Sequence, residues 1–146
     1  MRALYQVVFL AVALATVVGC SPAESVVQCE VSESVLKNGN TATRSYIESG
    51  NSYLHGLDAK DDSPPVNDVG RCSRVSCDEN ASIIWCNNSD EFKKLPNYGV
   101  IADGAQTILD ECARKGEHYE VKGTATHTDR WTVMIRNTDC GKEFQG

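Results

Sequence analysis

Residues 72–86 read CSRVSCDENASIIWC and carry three of the chain's seven cysteines, Cys72, Cys77 and Cys86. Two β-prone runs, Ser73–Cys77 and Ser82–Cys86, flank Asp78-Glu79-Asn80-Ala81, whose composition predicts a four-residue turn. A hairpin follows. With Cys77 opposite Ser82, Val75 falls opposite Ile84 and Ser73 opposite Cys86. Side chains alternate along a strand, so Val75, Cys77, Ile84 and Cys86 line one face. Cys72, Arg74, Ile83 and Trp85 line the other, which ties the hairpin on both sides. Thiols in such a hairpin suit a metal site, a redox site or a disulfide framework, and the compartment decides among these.

The N-terminus speaks to the compartment. MRALYQVVFLAVALATVVGC opens with one cation, Arg2, and continues as an uninterrupted apolar run from Val7 to Val18. The run is short for a membrane span, and Ser21-Pro22-Ala23 supplies small residues for cleavage before Glu24. Residues 1–23 therefore read as a secretory signal peptide, with cleavage after Cys20 as an alternative. Val17-Val18-Gly19-Cys20 also fits a bacterial lipobox, in which Cys20 would be lipidated and retained. Cleavage at either of the first two sites leaves six cysteines: Cys29, Cys72, Cys77, Cys86, Cys112 and Cys140. An even number in a small secreted domain implies disulfides, with fifteen pairings open. No CxxC or HxxxH spacing supports zinc, and the Cys72–Cys77 spacing is not a thioredoxin-type motif. No metal and no cofactor is expected.

Charge narrows the partners. The chain carries net charge −6, and removing the single positive charge of Arg2 leaves −7. That balance disfavours nucleic-acid backbones and anionic membranes as main partners. No membrane span is expected in the mature chain, and a monomer is.

Outward from the hairpin, VIADGAQTILDECARKG predicts the main helix. Ile101, Ala105, Ile108, Leu109 and Cys112 form one apolar stripe, and Gly116 offers a stop. Cys112 lies on that stripe and should staple the helix to a sheet. Tyr119–Thr126 and Trp131–Asn137 predict a second hairpin across His127-Thr128-Asp129-Arg130, with Cys140 pinning its end. SVVQCEV around Cys29 predicts a strand. Tyr46, Tyr53, Leu54 and Leu57 suggest a short helix that Gly50 and Asn51 interrupt, and AKDDSPPVNDVG reads as an exposed linker. The fold class is therefore α+β: a disulfide-stapled antiparallel sheet of two hairpins plus an N-terminal strand, packed against one main helix. Residues 24–70 form a strand and loop-rich region, and residues 71–146 the hairpin–helix–hairpin core of the same domain.

Chemistry-bearing motifs are sparse. G-x-S-x-G, a Gly-rich phosphate loop and an EF-hand pattern do not occur. Asn80-Ala81-Ser82 and Asn87-Asn88-Ser89 are glycosylation sequons, with Asn80 at the turn tip. Trp85 and Trp131 are either core residues or a binding patch, and two large aromatics in a small domain favour the core.

CSRVSC, IIWCNN, a helix with one cysteine, and WTVMIRNTDC together resemble a group of small secreted cysteine-rich proteins of filamentous fungi. The matching positions are Cys72, Arg74, Val75, Ser76, Cys77, Ile83, Ile84, Trp85, Cys86, Asn87, Cys112, Asp139 and Cys140. The order hairpin–helix–hairpin also resembles killer-toxin-like and necrosis-inducing effector folds. The resemblance covers residues 71–140 and implies a role without catalytic residues. That role is an effector of a plant-associated fungus, secreted and extracellular, binding a host protein or other extracellular host component to modulate defence or cell death. Two alternatives stand beside it. Small secreted fungal ribonucleases set His, Glu and Arg on an antiparallel sheet, and His118, Glu120, His127, Arg130 and Arg136 are similar in residue type. In the strand pattern Glu120 would face Arg136. An antimicrobial or killer-type toxin is the other, with net acidity against direct attack on anionic membranes.

Overall fold

The structure, a computed structural model, describes residues 25–30, 41–57, 63–113 and 120–146. The signal-peptide reading, Gly116 and His118 lie outside these residues. Strand β1 spans Ser25–Cys29, β2 Ala42–Thr43, helix α1 Arg44–Leu57, β3 Val66–Asn67, β4 Cys72–Asp78 and β5 Ala81–Asn87. Strand β6 spans Lys93–Lys94, α2 Gly99–Cys112, β7 Glu120–Val121, β8 Gly123–His127 and β9 Trp131–Asn137. Strands β1-β8-β9-β5-β4 form one antiparallel sheet, and β2–β7 and β3–β6 form two short ladders. The α+β class and the disulfide-stapled antiparallel sheet expected from the sequence are both present.

Two helices of 14 residues, rather than one main helix, cover the sheet. Helix α2 lies over β1, β8 and β9 and α1 over β4 and β5, with the helices in mutual contact. The α2 stripe is as predicted: Ile101, Ala105, Ile108, Leu109 and Cys112 are all buried. The expected interruption of α1 does not occur. Its buried stripe is Ile47, Gly50, Asn51 and Leu54, while Tyr53 is 57% exposed. Gly50 sits where α1 crosses β4: a Cβ there would lie 2.5 Å from Ser76 Oγ and 3.2 Å from Ile83 Cδ1. The glycine marks a close approach of backbones, and such an approach looks in sequence like a break. Asn51 joins the two helices by donating from Nδ2 to Gln106 Oε1 at 3.3 Å. Gly104 does for α2 what Gly50 does for α1, since a Cβ there would meet Val133 Cγ2 at 2.7 Å.

Strand β5 is buried along its whole length because it is paired on both edges and covered on both faces. Ile83 and Trp85, with Ala125, Val133 and Ile135, face the helices and form the core. Trp131 joins that core, so both tryptophans are packing residues.

The register of the first hairpin corrects the sequence reading. Cys77 does pair with Ser82, but Cys72 pairs with Cys86 and Arg74 with Ile84. The ladder shifts between Arg74 and Ser76, a β-bulge at Val75. The extra residue reverses the alternation, so Cys72, Arg74 and Cys77 all share the outer face with Ser82, Ile84 and Cys86. The hairpin is thus stapled on one side. The turn is also tighter than predicted: Asp78 pairs with Ala81, leaving Glu79 and Asn80 at φ 45° and 63°. Two positive φ values give a type I′ turn, whose twist matches that of the strands, and Asn80 tolerates this conformation well.

Three disulfides close the chain: Cys29–Cys112, Cys72–Cys86 and Cys77–Cys140. The first ties α2 to β1, as expected for Cys112. The second bridges β4 and β5, and the third anchors the segment after β9 to β4.

Candidate functional site

Among the described residues, a groove of about 560 Å³ lies beside Cys72, with Val66, Phe92 and Phe144 lining it together with polar residues that include Asp68, Arg71 and Glu143. Its walls come from loops that two buried asparagines hold in place. Asn67 donates from Nδ2 to the Trp85 carbonyl at 3.2 Å, and its Oδ1 accepts from Ser73 Oγ. Asn87, fully buried, donates from Nδ2 to the carbonyls of Asn67 (3.1 Å), Asp68 (3.2 Å) and Glu91 (2.7 Å). Asn87 Oδ1 accepts from the Ser89 N–H at 3.0 Å and from Ser89 Oγ at 2.6 Å. The network fastens residues 66–68 and 89–91 to the end of β5. It leaves Val66 47% and Phe92 60% exposed at the groove. The stretch read as an exposed linker is therefore built in at Asn67, which is buried and pairs with Lys93. Residues 59–62 of that stretch lie outside the described residues.

The remaining wall is the segment after β9, and Arg74 positions it. Its guanidinium donates to the carbonyls of Asp139 and Lys142, each at 2.8 Å, and to Thr138 Oγ1 at 3.3 Å. It also lies 5.8 Å from the centre of the Phe144 ring, within cation–π range. A planar fork with five donors suits a cradle of carbonyls, and a lysine does not reproduce it. Arg71 Nη1 adds a bond to the Gly146 carbonyl at 3.2 Å. Asp139 is held below the usual carboxylate range, first by the Lys142 ammonium at 3.0 Å and then by the Gly141 N–H.

The acid–base residues singled out in the sequence do not converge on one site among those described. Glu120 pairs with Thr43 in the β2–β7 ladder, so it does not face Arg136. Arg136 pairs with Ser82 and donates to Met134 Sδ at 2.8 Å. It stands five residues along β9 from Trp131, about 16 Å at the usual strand rise. Arg130 is engaged by Asp90 through two bonds, of 2.8 and 3.1 Å. That contact lowers the Asp90 pKa, chiefly by hydrogen bonding.

His127 turns inward. Its ring stacks on Trp131 with centroids 3.6 Å apart, and its buried Nε2 has no hydrogen-bond partner. A Cβ on Gly104 would stand 3.3 Å from that nitrogen. Burial pushes the His127 pKa down, against a smaller upward pull from Asp129. This is a packing histidine at the end of the core, and neither Arg136 nor Glu120 reaches it.

The two sequons differ as sharply. Asn80 is exposed at the type I′ turn, whereas Asn87 has no exposed surface and its amide nitrogen is fully engaged. An oligosaccharide on Asn87 Nδ2 would displace the three carbonyls that this nitrogen holds. Sequence reasoning also missed Val66, Asn67, Phe92 and the role of Arg74. Phe92, alone among polar residues in NNSDEFKK, was the one available signal for the groove.

No group of three or more potential metal ligands occurs among the described residues, and none of their helices is long and apolar enough to cross a membrane. Comparison with protein-family models, with curated proteins and with solved structures finds no match.

Proposed function

We propose that the protein is a secreted, extracellular, disulfide-stapled effector of a plant-associated fungus that acts by binding a host component to modulate defence or cell death. The observation that carries the reading is the set of three intramolecular disulfides in one small domain, which is compatible with an oxidising compartment. Binding is favoured over catalysis because exposed apolar side chains stand beside a groove whose lining is otherwise mostly polar. Val66 and Phe92 stand open beside the groove, and Val69, 54% exposed, follows on the same loop. Exposed apolar side chains beside a groove suit a protein partner better than a small charged substrate. In this reading the protein is a glycosylated monomer, and its partner seats an apolar side chain between Phe92 and Phe144.

The test is affinity capture of host proteins by the oxidised, folded protein, run in parallel with Phe92→Ser. Phe92 is exposed, so the fold should tolerate the change. A partner retained by the wild type and lost with Phe92→Ser supports the reading. A partner held equally by both moves the binding surface away from the groove, and no specific partner at all contradicts the function.

A further inference from the structure

We infer that Asn80 is the N-glycan acceptor of this chain and that the Asn87 sequon stays unmodified in the folded protein. The inference rests on the secretory reading above and adds to it which nitrogen reacts. Asn80 occupies the second position of the β4–β5 turn, with its backbone at φ 63° and its side chain at the surface. Its Oδ1 accepts the Cys140 N–H at 3.1 Å, and its Nδ2 has no partner among the described residues. The amide is thus oriented by its oxygen, with its nitrogen directed away from the Cys140 contact. In the reaction, Nδ2 forms a bond to the anomeric carbon of a lipid-diphosphate-linked oligosaccharide. The bond from that carbon to the diphosphate oxygen breaks, the lipid diphosphate leaves, and Nδ2 gives up one proton. The product retains Oδ1, so the contact with Cys140 survives modification.

Asn87 is the opposite case. Its Nδ2 holds three carbonyls inside the fold, and its side chain has no exposed surface. A chain modified there loses the network that seats residues 66–68 and 89–91. Folding therefore filters the two sequons, and the molecules that reach the medium carry sugar at Asn80.

The experiment places an established secretory leader before the full chain in a yeast host, so that entry to the secretory pathway does not depend on residues 1–23. Secreted protein is treated with an amidase that converts glycosylated asparagine to aspartate, and both sequons are mapped by mass spectrometry. Aspartate at position 80 and unaltered asparagine at 87 is the expected result. Sugar at Asn87, or an unmodified Asn80, overturns the inference. Asn80→Asp keeps the Oδ1 acceptor and should secrete normally without the glycan's mobility shift; a persisting shift places the sugar elsewhere and also overturns it. The same chain without the added leader separates the two claims. Its failure to reach the medium, while the fusion is modified at Asn80, counts against the secretory reading alone.

Discussion

The helix-side face of the sheet buries Ile83, Trp85, Ala125, Val133 and Ile135 against α1 and α2, whereas the outer face carries Cys72, Arg74, Cys77, Ser82 and Cys86 under residues 138–146. The first face is closed by apolar burial. The second also buries Ile84, and it is closed by two disulfides, the carbonyl cradle of Arg74 and a hydroxyl contact between Ser82 and Thr138. Both helices among the described residues lie on one face. Residues 138–146 bring one large apolar side chain, Phe144, and covalent and polar links hold them against the sheet. The groove lies at the edge of this second face, beside Cys72 and residues 143–146.

The largest break should come on the helix side. Trp85→Ala removes the largest fully buried side chain and should cost about 3–5 kcal/mol in urea unfolding. On the outer face, replacing both Cys77 and Cys140 by serine opens a link across 63 residues and should cost about 2–4 kcal/mol. The same change at Cys72 and Cys86, separated by 14, should cost less, because the closed loop is shorter. A larger loss at the shorter link would mean that the outer face depends on the groove more than on the tail.

Gly104→Ala tests the helix side from the other direction. Its new methyl meets Val133 at 2.7 Å and should cost about 1–3 kcal/mol by overpacking, whereas Gly56→Ala, where a Cβ meets nothing, should be neutral or stabilising. Arg74→Lys should cost about 1–2 kcal/mol and raise protease sensitivity after residue 137, since a lysine cannot serve several carbonyls at once.

Much of this contrast was legible in the sequence, but unevenly. The α2 stripe and the two hairpins follow from apolar spacing, because burial on one side leaves a periodic trace. The bulge at Val75 leaves none, and without it Cys72 and Cys77 appear to point to opposite sides. Gly50 and Asn51 looked like a helix break, yet each is chosen by what α1 meets, Ser76 in one case and Gln106 in the other. The groove was least legible. It depends on Asn67 and Asn87, whose buried hydrogen bonds join segments some twenty residues apart, and polar residues in loops carry no periodic signal.

The smallest effect concerns His127. Its folded pKa lies below the usual value of 6.5 because burial disfavours the charged ring. The unfolded chain therefore takes up this proton first as the pH falls. Stability should be level above that value and decline as the pH drops through 6.5 toward the folded pKa. His127→Phe keeps a ring against Trp131 and should flatten the dependence in that window. Asp90 and Asp139 titrate in a lower range and should leave it unchanged.

Mapping the disulfides of the unreduced protein tests the stapled framework most directly. The account predicts three linked peptide pairs, Cys29–Cys112, Cys72–Cys86 and Cys77–Cys140, with no free thiol among these six. Cys77 linked to any residue other than Cys140, or free Cys72 and Cys86, would contradict it, since the outer face would then lack the links that close it.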